Sequence, residues 1–163
     1  MSATSKADAP SADTGAIDAE NPWPGLASFA EADAEFFFGR ESEKEELVRL
    51  VLRERLTILF GLSGLGKTSL LQAGLFPRLR EENVLPVSLR LEHSDGSPPC
   101  TEQVLNAIAR AAAAAGAEIP APRPGETLWE YFHRVGNDFW SARNRPVVPL
   151  LAFDQFEEIF TLG

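Results

Sequence analysis

The sequence predicts an α/β domain, a mainly parallel sheet flanked by helices, and three observations carry that prediction. Short apolar runs at 56–60 ("LTILF"), 84–91 ("VLPVSLRL") and 147–153 ("VVPLLAF") read as strands. Segments with helical periodicity separate them. A glycine-rich stretch, "GLSGLGKTSL" at 61–70, stands where the first apolar run gives way to a helix.

The bulk composition fits one such domain. A chain of 163 residues with 44% hydrophobic and 24% charged residues can bury a core without disulfides or a structural metal. The net charge of −9 disfavours a direct nucleic-acid role, which needs clustered Lys and Arg. Cys100 is the only cysteine, so no internal disulfide can form and a Cys-rich zinc site is excluded. That suits a reducing cytoplasm. No secretory h-region opens the sequence and no run approaches a membrane span, so a cytoplasmic protein with no membrane partner is expected.

Along the chain, residues 1–20 are rich in Ala, Ser, Asp and Thr and offer little to bury, which predicts a disordered tail. Order is expected from "NPWPGLASF" onward, with Trp23, Leu26 and Phe29 as apolar anchors. The next segment predicts a turn feeding a charged helix whose stripe is Leu47, Leu50 and Val51. "LTILF" should be a strand buried on both faces. The helix after it should turn Leu70, Leu71, Gly74 and Leu75 inward and end at Pro77. Pro86 restricts the second strand to an edge or a strand end. Residues 101–117 predict a helix with Thr101 as candidate N-cap and Gly116 as its stop. A linker, "EIPAPRPGE", then leads to a helix over "TLWEYFHRVGNDFWSA" and to the third buried strand.

Gly61, Gly66, Lys67 and Thr68 satisfy the spacing G-x-x-x-x-G-K-[ST], and Gly64 adds a further glycine. Glycines let the backbone fold tightly so that successive N–H groups can face phosphate oxygens, and the helix that follows adds its positive end. The loop Gly61, Leu62, Ser63, Gly64, Leu65, Gly66, Lys67, Thr68 and Ser69 is therefore the candidate nucleotide cradle. Lys67 would bridge the β- and γ-phosphates and Thr68 would ligate Mg²⁺. Asp154 follows the third apolar run directly, at the strand end where open α/β sheets bind ligands, and is the candidate second Mg²⁺ ligand of Walker-B type. Glu157 and Glu158 lie within one turn of it. Either could orient or deprotonate an attacking water, and spacing does not choose between them. The competing structural reading makes Asp154 the cap of a helix starting at Gln155.

His93 and His133 lack acidic or cysteine companions at ligand spacing. Trp129, Phe132, Phe139 and Trp140 recur at near-helical spacing and read as core, since no basic groove accompanies them.

Three pieces in this order, "FFFGRESE", "GLSGLGKTSLLQAGLFPRL" and "LLAFDQFEEIF", resemble the bacterial STAND-class P-loop ATPases, in particular the novel STAND NTPase 1 group. "NPWPGLASF" is similar to that group's opening segment. The resemblance spans most of 21–163 and implies an ATP- and Mg²⁺-dependent switch in a longer signalling protein with WD-repeat, TPR-like or effector domains. It implies that Phe38, Gly39 and Arg40 lie near the adenine and ribose. It also implies a further strand between those of the phosphate loop and Asp154, so the chain is expected to hold an incomplete, N-terminal part of the NTPase domain. Two other functions share these motifs: a P-loop small-molecule kinase, which would carry an Arg-rich lid, and a remnant that binds nucleotide without turnover.

Overall fold

The computed structural model describes residues 17–161. The expected tail over 1–20 therefore lies mostly outside the described residues. Of the part described, Ile17 already packs against the core.

A 3-10 helix, Glu31–Phe36, precedes α1, Glu41–Arg53. A continuous helical run then comprises α2 (Lys67–Ser69), a π-helical segment (Leu70–Leu75) and α3 (Phe76–Glu81). β1, Val84–Leu89, follows, then α4, Cys100–Ala115, and α5, Leu128–His133. β2, Phe139–Trp140, turns back into β3, Pro146–Phe153, and a short α6, Glu158–Thr161, ends the described part. The sheet order is β1-β3-β2, with β1 parallel and β2 antiparallel to β3. The architecture is thus mixed α/β with a small three-stranded mixed sheet.

β1 carries Pro86 in its middle and tolerates it because β1 is an edge strand. Val148 N–H donates to Asn83 O and Asp154 N–H to Leu89 O, so the odd-numbered residues of β1 face β3 and Pro86 faces away, where no N–H is required. Alternation across β1 sends Leu85, Val87 and Leu89 into one core cluster with Val104, Ile108, Tyr131 and Phe139. A second cluster lies under the phosphate-loop helix and joins Phe29, Phe37, Leu47, Leu70, Leu75 and Leu79 to Val84, Leu150 and Ala152. The two clusters thus pack against opposite faces of the β1–β3 pair.

Several expectations are corrected. Leu56–Phe60 forms no strand. It runs extended with Leu56, Ile58 and Phe60 exposed (77%, 74% and 86%) while Thr57 and Leu59 turn inward. The period of two survives, but a ladder needs an edge within hydrogen-bond reach, and a cleft separates this segment from β3. β3 itself is half-buried, with Val148 exposed.

The helix does not stop at Pro77. The widened π turn before it removes the usual i−4 bond that a proline cannot make, and Pro77 becomes an early residue of α3. Thr101 lies inside α4 rather than capping it, since Pro99 holds the N-cap position and Cys100 is the first helical residue. Gly116 does end α4, in the left-handed conformation. The helix expected over 127–142 is confined to α5, where Thr127 and Glu130 form a reciprocal capping box. Gly136, at φ 75°, turns the chain, and Phe139 and Trp140 become β2. Of the aromatic group read as core, Phe139 is buried and Phe132 packs against it, whereas Trp129 is 68% exposed and Trp140 38%. Trp23 and Leu26 are likewise exposed, leaving Phe29 as the buried anchor.

Candidate functional site

The turn at 61–66 gets its shape from its glycines. Gly64 (φ 82°) and Gly66 (φ 74°) occupy the left-handed region, where a side chain would be strained. The loop is exposed, and among the described residues the N–H groups of Ser63, Gly64 and Gly66 have no acceptor within the chain. The Lys67 Nζ donates to the carbonyl oxygens of Gly61 (2.9 Å) and Leu62 (3.0 Å), which folds the cation back over the loop. Leu65 N–H reaches Leu62 O at 3.4 Å and closes the turn.

Ser69, the last residue of the motif, is buried and accepts from Phe29 N–H at 3.1 Å. This bond ties the segment before the 3-10 helix to the base of the phosphate loop. Arg40 and the loop are also linked, through Nη1 to Leu65 O at 3.4 Å, while Arg40 Nε lies 2.9 Å from Glu43. Phe38 is 75% exposed and Gly39 adopts φ 82°. The structure thus brings Arg40 to the loop, with Phe38 and Gly39 next to it in sequence.

Across the site, the Thr68 hydroxyl donates to Asp154 Oδ2 at 3.2 Å. Asp154 is placed by parallel pairing: Leu89 stands opposite Phe153, and Asp154 N–H continues the ladder to Leu89 O at 2.9 Å. Asp154 does not cap a helix starting at Gln155. Residues 154–157 form a turn with Gln155 at φ 54°, and α6 begins at Glu158.

The two glutamates part company here. Glu157 lines the cleft together with Asp154, Lys67 and Thr68. The Glu158 carboxylate receives the Arg90 guanidinium in a fork, Nε to Oε2 at 3.0 Å and Nη2 to Oε1 at 2.6 Å. No motif in the sequence marks Arg90; the signal for it is its place near the end of the apolar run 84–91, which pairs with the strand that leads into Asp154. The cleft, of about 2060 Å³, runs from the phosphate loop between Leu56–Phe60 and β3. The buried Thr57 Oγ1 in that segment has no hydrogen-bond partner among the described residues.

The donor set suits a hard divalent cation and a polyphosphate. One hydroxyl and one carboxylate meet where such an ion needs oxygen ligands, and the loop offers exposed N–H donors and a lysine. His93 and His133 stand apart from this set, the latter stacked on Trp129 at 4.5 Å. No helix among the described residues is long and apolar enough to cross a membrane.

Comparison with curated proteins and with solved structures gave no significant match. Residues 22–163 match the family described as Novel STAND NTPase 1, from the first proline of the opening segment to the last residue. The chain belongs to the Novel STAND NTPase 1 family.

Proposed function

We propose that this chain is the nucleotide-binding module of a regulatory switch, taking a nucleoside triphosphate, ATP in our reading, with Mg²⁺ at Gly61–Ser69 and Asp154. The observation that carries the reading is the Thr68–Asp154 contact, which joins the two halves of the motif across 86 residues of sequence. Membership of an NTPase family supports the same conclusion.

In this reading Thr68 and Asp154 hold Mg²⁺, whose role when bound is to neutralise charge on the β- and γ-phosphates. The Lys67 ammonium exchanges the Gly61 and Leu62 carbonyls for phosphate oxygens, and loop N–H groups bind the remaining ones. Glu157, which lines the cleft with Asp154, Lys67 and Thr68, orients and deprotonates the attacking water. Arg40, with Phe38 and Gly39, flanks the base and ribose. Nucleotide state would then set the arrangement of attached domains or protein partners.

Binding without turnover is a second reading, favoured by one observation. Leu56–Phe60, which leads into the loop, stands off the sheet instead of pairing in it, so the loop has no ladder fixing it against Asp154.

A Mg²⁺–ATP titration of the chain beside K67A tests the proposal. Saturable binding weakened about tenfold or more by the substitution supports it. Equal affinity in both proteins refutes a phosphate-loop site.

A further inference from the structure

We infer that Arg90 is a positioning residue: through Glu158 it fixes the acidic turn 154–158 against the phosphate loop, and so sets the place of Glu157. The inference rests on the nucleotide-site reading above.

Within the turn, Glu158 N–H donates to Gln155 O at 3.0 Å and Phe160 N–H to Glu157 O at 3.1 Å, but these local bonds do not tie it to the sheet. Gln155 holds a left-handed φ of 54°, which L side chains rarely adopt, and no regular helix begins before Glu158. Little burial holds it either. Phe156 is 46% exposed and Phe160 78%, and the rings of Phe153, Phe156 and Phe160 form an edge-on row at 5.3 and 6.0 Å.

Two anchors on consecutive residues of one strand end tie the turn to β1. At its start, Asp154 N–H donates to Leu89 O at 2.9 Å. At its finish, Arg90 grips the Glu158 carboxylate with three contacts of 2.6 to 3.0 Å. Bidentate guanidinium–carboxylate pairing fixes orientation as well as distance, which a lysine ammonium cannot do. Because β1 and β3 are in parallel register, Leu89 and Arg90 are carried to the strand ends where the phosphate loop lies. The cleft-facing residues Asp154 and Glu157 sit between the two anchors.

The bland alternative is a surface ion pair. Arg90 is 57% exposed and Glu158 25%, and such pairs contribute little to global stability. The two readings differ in where an effect falls. A surface pair, once removed, changes nothing locally; a clamp, once removed, frees the turn and leaves the rest of the fold intact.

The test compares the full chain with R90A, R90K, the charge-reversed pair R90E/E158R, and K67A, by amide hydrogen exchange, nucleotide titration and steady-state turnover. In R90A, exchange at 154–160 should accelerate about tenfold while α1 and α4 keep their protection. Nucleotide affinity should stay within about twofold, and kcat should fall about tenfold with KM nearly unchanged, the size of loss typical when a supporting hydrogen bond is removed. R90K should recover part of the loss and R90E/E158R more. Unchanged exchange at 154–160 in R90A overturns the inference whatever the turnover, and so does a charge-reversed pair that exchanges as fast as R90A. If K67A binds nucleotide as well as wild type, the site reading fails, and the ligand-free exchange comparison still decides the clamp.

Discussion

Thr68 and Asp154 meet at 3.2 Å, hydroxyl to carboxylate, although one lies in the short helix after the glycine-rich turn and the other immediately follows the strand that parallel pairing with β1 carries to the same edge. Two oxygen groups from distant parts of the chain thus meet, as the proposed shared cation requires.

This pairing predicts the metal dependence of binding. In D154N the amide retains a hydrogen-bonding partner for Thr68 but loses the anionic ligand. Its ATP affinity in Mg²⁺ should fall about tenfold or more, while affinity in EDTA should match that of wild type. Calorimetric titration with and without Mg²⁺ checks this. Equal loss in both conditions would place Asp154 in the fold rather than at the metal.

Gly74 lies in the π-helical segment where it packs against Lys44 of α1. A Cβ there would lie 3.1 Å from Lys44 Cγ, 3.2 Å from Leu70 Cδ1 and 3.4 Å from the Phe37 ring. Lys44 is pinned by its Nζ to Phe37 O, and Phe37 is buried, so neither yields freely. The helix-propensity gain of about 1 kcal/mol should be outweighed, and G74A should be destabilised by about 1 kcal/mol net in urea unfolding.

Ile108 is fully buried between α4 and β1, away from the phosphate loop. I108A should lose about 2–5 kcal/mol of stability through lost burial and the cavity it leaves. Protein that remains folded should still bind Mg²⁺–ATP with wild-type affinity, as measured at a temperature well below its midpoint. The same variant with weakened binding would show that the two clusters are coupled.

Burial pushes the Tyr131 hydroxyl above its ordinary value of 10.0, an effect that Arg134 opposes and Glu126 reinforces. Its O–H donates to Pro120 O at 2.9 Å, a bond the phenolate cannot make. Because the folded value lies above the unfolded one, the stabilisation is complete below about pH 10 and disappears as pH rises through the folded value. Denaturation midpoints measured from pH 9 upward should fall more steeply for wild type than for Y131F. Y131F should itself be about 1 kcal/mol less stable at pH 8, since it leaves the Pro120 carbonyl without its donor.

What the residues determined alone was local. Gly64 and Gly66 take the left-handed turns their lack of a side chain permits, Gly116 ends its helix, and the apolar runs at 84–89 and 147–153 become strands with Asp154 immediately beyond the second. These features depend on φ/ψ freedom and side-chain period, which neighbours in sequence set. Tertiary structure decided the rest. "LTILF" has the composition and alternation of a strand, yet it forms no ladder, and a cleft lies between it and β3. Pro77 continues a helix because a π turn precedes it. Spacing does not show that Glu158 meets Arg90, 68 residues away in sequence, because only the packed chain brings the two to the same strand end. Hydrogen bonds and ion pairs need partners, and which partners meet is a property of the packed chain rather than of any stretch of it.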